Sequence, residues 1–278
     1  MKIGNEEYKF RPEPKKAMDL EIFILLCGVY AVVFFYAFDY LSWPVFYLLF
    51  HIFYMRVFIG NHDRMHADRT KKWPRPLELF FEHFAMVVTP WDEPFDSIRA
   101  KHRTHHVTHL PNREPDHNVL KDPHSLYEAK GFFQSFFYCL FYEEVQLIID
   151  IKNKHITLSR LVRLIIYLPL QILFIGYFGW QKFLGVFFAV RIMSAMGWFL
   201  FSWFLHVHMY QFGILKQLRA ARFIQYIFGI FNGRRVKDGF FHHAVHHAWP
   251  HVPSAKLHIL DEALMRHPEQ IPQMIQTH

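Results

Sequence analysis

Four stretches of mostly apolar residues, 20–38, 41–60, 161–180 and 183–205, set the terms for any fold this chain can adopt. A helix rises about 1.5 Å per residue, so about 20 apolar residues cross the hydrocarbon core of a bilayer, and soluble cores seldom contain such runs. The stretches come in pairs. Asp39-Tyr40 and Ser42-Trp43-Pro44 mark a tight turn between the first two, and Gly179 marks one between the last two. The expected fold is an all-α integral membrane protein with four transmembrane helices in two hairpins. Two weaker runs, 77–88 and 131–149, are too short or are interrupted by Glu143-Glu144, and read as helices lying on the membrane or on a cap.

Charge supplies the orientation. The chain carries 31 Lys and Arg against 24 Asp and Glu, a net charge of +7 over 278 residues. Lys2, Lys9, Arg11, Lys15 and Lys16 precede the first span. Lys71, Lys72, Arg75, Lys101 and Arg103 lie between the second and third, and Lys216, Arg219, Arg222, Arg234, Arg235 and Lys237 follow the fourth. The short turns hold only Lys182. By the positive-inside rule both termini and segment 61–160 are cytoplasmic. Segments 61–160 and 209–278 then form one helical cap over the spans, and residues 1–278 form a single domain. The basic excess suits a membrane surface, and no nucleic-acid-binding motif accompanies it. Cys27 and Cys139 are isolated and make no disulfide framework. Residues 1–18 are polar, unlike a cleavable signal.

Histidine is concentrated beside these spans. His62 and His66 are spaced i,i+4; His102, His105 and His106, and again His243, His246 and His247, are spaced i,i+3,i+4. On a helix such offsets place each cluster on one face. With His206, at the end of the fourth span, nine imidazoles fall on the same side of the membrane. A structural zinc takes four protein ligands and a catalytic zinc three. Nine is natural for two metals with four or five nitrogens each, a donor set that suits redox iron. Asp63, Asp92, Glu93, Asp96, Glu114, Asp116 and Asp238 are candidates to accept from the second ring nitrogens.

The order H-x3-H, H-x2-HH, H-x2-HH around two hairpins resembles the integral-membrane fatty acid desaturase and hydroxylase superfamily. Its last box is similar to Phe-His-His-Ala-Val-His-His-Ala-Trp-Pro-His-Val-Pro at 241–253. The resemblance implies a di-iron (Fe2+) centre that activates O2 with two external electrons and removes hydrogen from an unactivated C–H bond of a lipid acyl chain. It implies His62, His66, His102, His105, His106, His243, His246 and His247 as ligands, with His206, ahead of His208, as the ninth. Some members hold a water on an Asn at the place of Ser202. The His267-Pro268 pair is followed by Glu-Gln and not by a heme signature, so a separate ferredoxin- or cytochrome b5-type donor is implied. Two other readings share these residues: a hydroxylase or ketolase acting on a fatty acid, sphingoid base or carotenoid, and, from a different class, a metal transporter.

Other polar residues read as structural. His51 is eleven residues, about 16 Å, from His62 and is too far to ligate. Arg56 is expected to snorkel. Arg191 lies near the middle of the fourth span and is expected to hydrogen-bond between helices. His242 has the wrong phase for the site.

Overall fold

The computed structural model describes residues 2–11, 13–67, 95–108, 131–154, 156, 158–206 and 222–270. They are mostly helical. A two-stranded antiparallel ribbon, β1 (Lys2–Ile3) and β2 (Glu6–Glu7), precedes α1 (Lys15–Ala37) and α2 (Trp43–His66). Then come α3 (Phe95–Thr108), α4 (Phe132–Leu140), α5 (Tyr142–Lys152), α6 (Leu158–Phe178) and α7 (Trp180–Trp198). A π-helical turn, Phe199–Phe204, continues α7, and α8 (Arg222–Phe241), α9 (His243–Ala248) and α10 (Leu257–Arg266) complete the order. Four helical stretches are long and apolar enough to cross a membrane: Lys16–Ala37, Trp43–His66, Arg160–Phe178 and Trp180–Phe201.

α1 packs along α2. The turn between them uses Asp39 at φ 64°, and Pro44 opens α2, where its missing N–H costs no helical bond. Gly28 lets the two helices close up, since a Cβ there would collide with the Phe53 ring. α7 is the central helix, with half of its apolar window buried, whereas only 11% of α6's window is covered.

The second helix runs on to His66, six residues beyond the expected span. The polar residues that follow Gly60 have tertiary partners: Arg64, 2% exposed, pairs with Asp19, and Asp63 pairs with Arg235 and Ser254. The helix therefore has no reason to stop, and it carries His62 and His66 as a rigid extension of a membrane-length segment.

Of residues 131–149, read as lying on the membrane or on a cap, α4 packs on α7 and the turn that follows it. Phe132 and Phe136 meet Phe199, with ring centroids 4.9 and 5.5 Å away, and Tyr142 meets Trp198 at 4.2 Å. Glu143 then reaches Ser194 and Arg191. Advancing along α4 thus retreats along α7, so the pair is antiparallel.

α8 is two helices. Gly233 has φ 82° and ψ 164°, outside helical space. Phe228 lies 5.3 Å from Phe240 and 5.5 Å from Phe241, residues that a straight helix would place about 18 Å away. The chain reverses at Gly233 into a hairpin whose apex meets the middle of α2. There Asn232 Nδ2 donates to the Phe228 carbonyl (3.1 Å), which leaves Oδ1 to accept from His51 Nε2 (3.0 Å). His51 is thus held by α8, with Nδ1 3.0 Å from Met193 Sδ, and takes no part in the histidine cluster. A separate apolar cluster around Val245, Trp249, Leu257, Leu260 and Leu264 takes in Ile3 and seats α9.

Candidate metal centre

Four elements bring the imidazoles together: the end of α2 (His62, His66), α3 (His102, His105, His106), the residues after the π turn (His206) and α9 (His243, His246, His247). Two groups result. In the first, ligand atoms of His62, His66, His102, His106 and His246 all lie within 4.8 Å of one another. In the second, His105, His206 and His247 meet the same limit, and His243 Nε2 joins at 3.1 Å from His247 Nε2 and 3.5 Å from His206 Nε2.

The clusters do not each present a single face, as their spacing suggested. Residues four apart stay together: His62 with His66, His102 with His106, and His243 with His247. The third member of each triplet, His105 or His246, belongs to the other group. Adjacent residues on a helix diverge by about 100°, so each His-His pair straddles the two groups. His106 and His247, one from each, stack with ring centroids 4.4 Å apart.

The nitrogens fit metal ions better than they fit each other. His102 Nε2 lies 2.8 Å from His66 Nε2 and 3.0 Å from His106 Nε2. His206 Nε2 lies 3.0 Å from His247 Nε2. One ring nitrogen offers either one proton or one lone pair in its plane, so triangles of Nε2 atoms cannot all be hydrogen bonds. Ligands about 2.1 Å from a shared ion and at right angles stand about 3 Å apart, which matches these separations. His246 makes the point alone. It is 1% exposed, and neither of its nitrogens has a hydrogen-bond partner among the described residues. Burying an unsatisfied imidazole is costly, and a metal removes that cost at one nitrogen.

Electrostatics favour the ligating form. Burial, then neighbouring imidazoles, hold His106, His243 and His246 well below the usual histidine range. These rings are neutral at physiological pH, with a lone pair to give. Around them, Asp63 faces His62 Nδ1 at 3.3 Å and accepts from Ser254 Oγ and from Arg235 Nη1 (2.6 Å). Arg235 also holds Glu13 and Glu21 at 3.0 and 2.8 Å, which ties the ligand helix to the start of α1.

All nine predicted ligands converge. Of the predicted acceptors, Asp63 lies at the site. Asp238 does not: fully buried, it faces Lys237 (3.0 Å), His258 (3.1 Å) and Arg234 (3.4 Å). His208, Asp92, Glu93, Glu114 and Asp116 lie outside the described residues, as do the side chains of Asp96 and Ser202. His242 pairs with Asp261 at 3.1 Å, a structural role as expected. Ser254 and Arg235 were missed, because a lone serine and one of many basic residues carry no spacing signal.

Comparison with family models, with curated proteins and with solved structures found no match.

Proposed function

We propose that this chain is a membrane-bound, O2-dependent di-iron oxidoreductase, a desaturase of lipid acyl chains. The observation that carries the reading is the partition of nine imidazoles into a group of five and a group of four, gathered where α2 ends and where the chain leaves the π turn after α7. His62, His66, His102, His106 and His246 would hold one iron, and His105, His206, His243 and His247 the other. When bound, the metals supply the oxidation of an unactivated C–H bond, which no side chain here can perform.

The chain's own residues bind and orient. The neutral rings donate nitrogen lone pairs, Asp63 fixes the His62 ring, and Arg235 and Ser254 fix Asp63. Phe204 and Phe240, next in the chain to the Leu205-His206 and Phe241-His242-His243 stretches, pack in apolar clusters with Phe199, Trp203 and Phe201, which would help to keep water from the site. The overall change is –CH2–CH2– plus O2, two electrons and two protons giving –CH=CH– and two waters. The electrons come from a separate ferredoxin- or cytochrome b5-type donor. In this reading the spans form two hairpins, and the basic segments and the site face the cytoplasm. Transporters place their polar ligands near the bilayer midplane. Here His62 and His66 close a membrane-length helix and six of the other ligands lie on the shorter α3 and α9, none of them in the middle of a span, which supports an enzyme over a transporter.

Metal analysis of the purified protein, with mass spectrometry of lipids from an expressing host, tests the proposal. About two irons per chain and loss of two hydrogens from an acyl chain are expected. Gain of one oxygen would make it a hydroxylase, and full turnover without metal would end the di-iron reading.

A further inference from the structure

Away from the histidines, α1, α2, α6 and α7 enclose a half-open cleft of about 300 Å³, the lower end of the range of ligand pockets. Its walls are apolar, with Tyr30, Tyr167, Gln171 and Arg191 as the polar exceptions. Phe50, on one wall, precedes His62 by twelve residues of the same helix, about 18 Å. The cleft is therefore separate from the histidine site.

Gln171 is the feature that needs a ligand. Between Arg163 and Phe178 it is the only residue with an amide or a charge. It faces the cleft rather than lipid, sharing its side of α6 with Tyr167 and Phe174 at i−4 and i+3. It makes no hydrogen bond or other polar contact among the described residues. It is also about 10 Å of helix from the nearer end of α6, too far to reach the interface. A polar group held at this depth without a partner is expensive, and such groups mark binding sites by default.

Arg191 decides the charge of the occupant. Its guanidinium is engaged by Glu143 and Glu144, and Ser194 holds Glu143 in place. One cation already answers two carboxylates, so an anionic head group would add a third negative charge, and a cationic one would meet the arginine. A hydroxyl is neutral and both donates and accepts, so it can pair with both ends of the Gln171 amide.

We propose that this cleft is a second lipid site that binds a neutral monohydroxy lipid, its hydroxyl on Gln171 and its hydrocarbon between α1, α6 and α7. The test uses full-length protein in phosphatidylcholine nanodiscs and a hexadecanol carrying a diazirine and an alkyne. Photolabelling should map to cleft residues such as Phe174 and Phe187, and unlabelled hexadecanol should compete where hexadecane and palmitate do not. Gln171→Leu and Gln171→Met should each lower labelling about fivefold or more, the weight of one hydrogen bond inside a bilayer. Val33→Trp should fill the cleft and abolish it. Metal content, read in parallel, should not change, which separates this proposal from that for the histidine site. Undiminished labelling in the Gln171 variants, equal competition by hexadecane or palmitate, or labels outside the cleft would overturn it.

Discussion

Replacing Arg191 with methionine removes the cation that pairs with buried Glu143 and half-buried Glu144. Arg191 and Glu143 are 7% and 3% exposed, with Nη1 3.0 Å from Glu143 Oε2 and 2.9 Å from Glu144 Oε2. Breaking a buried pair by deleting one partner costs about 3–5 kcal/mol, because the other charge is left unpaired. Glu143 has a partial escape. Burial already pushes its carboxyl up, against the pull of Ser194 and Arg191, so without the arginine it takes up a proton more easily. A carboxyl whose folded value is raised contributes stability that is lost as pH rises through that value. Relative to the unaltered protein at the same pH, the variant's loss should therefore be largest at alkaline pH and shrink on acidification towards pH 5. Unfolding of purified protein in one detergent gives the comparison for Arg191→Met, Glu143→Gln and the double variant. The expected coupling exceeds about 1 kcal/mol, the double variant being more stable than the sum of the single losses. Additive losses, or an Arg191→Met cost under about 1 kcal/mol at pH 8, would refute the reasoning.

His246→Ala and His247→Ala alter neighbouring residues but different groups, so each should lower bound metal from about two to about one per chain, with activity lost in both. Retention of two metals and full turnover by either would contradict the partition. Asp63→Asn should weaken metal binding about 10–100-fold by loosening the His62 ring, measured by chelator competition. Acidification should destabilise the metal-free protein. The depressed values of His106, His243 and His246 mean the unfolded chain binds more protons below about pH 6.5, so stability falls as pH drops through that region. An unfolding midpoint unchanged between pH 7.5 and pH 5 would argue against neutral buried rings. Gly233→Val forces a β-branched residue to φ 82° and sets its Cβ 3.1 Å from Arg56 Nε; a loss of about 1–3 kcal/mol is expected, with no loss meaning that the hairpin turns elsewhere.

The number and approximate positions of the membrane-length helices and the identity of the nine clustered histidines were legible because each rests on local repetition: apolar runs of bilayer length, and imidazoles one helical turn apart. The partition was not legible. Spacing alone shows that His102 and His106 share a face, but not that His105 and His246 meet rings from other segments. The α8 reversal was hidden because Gly233 lies among Asn232, Arg234 and Arg235, a stretch that reads as an ordinary solvated segment. The π turn before His206 left no trace in composition.

Glu143-Glu144 shows the boundary well. By itself the pair interrupted the apolar run, so residues 131–149 read as a helix lying on the membrane or on a cap and not as a span. Only the packed structure brings Arg191 and Ser194 to it, and that partnership fastens the start of α5 to α7. Local sequence determined what each segment prefers, because propensity, hydropathy and helical spacing act over a few residues. Which groups meet, and so which charges can be buried and which rings can share an ion, depends on contacts between residues far apart in the chain, and those exist only once the helices have packed.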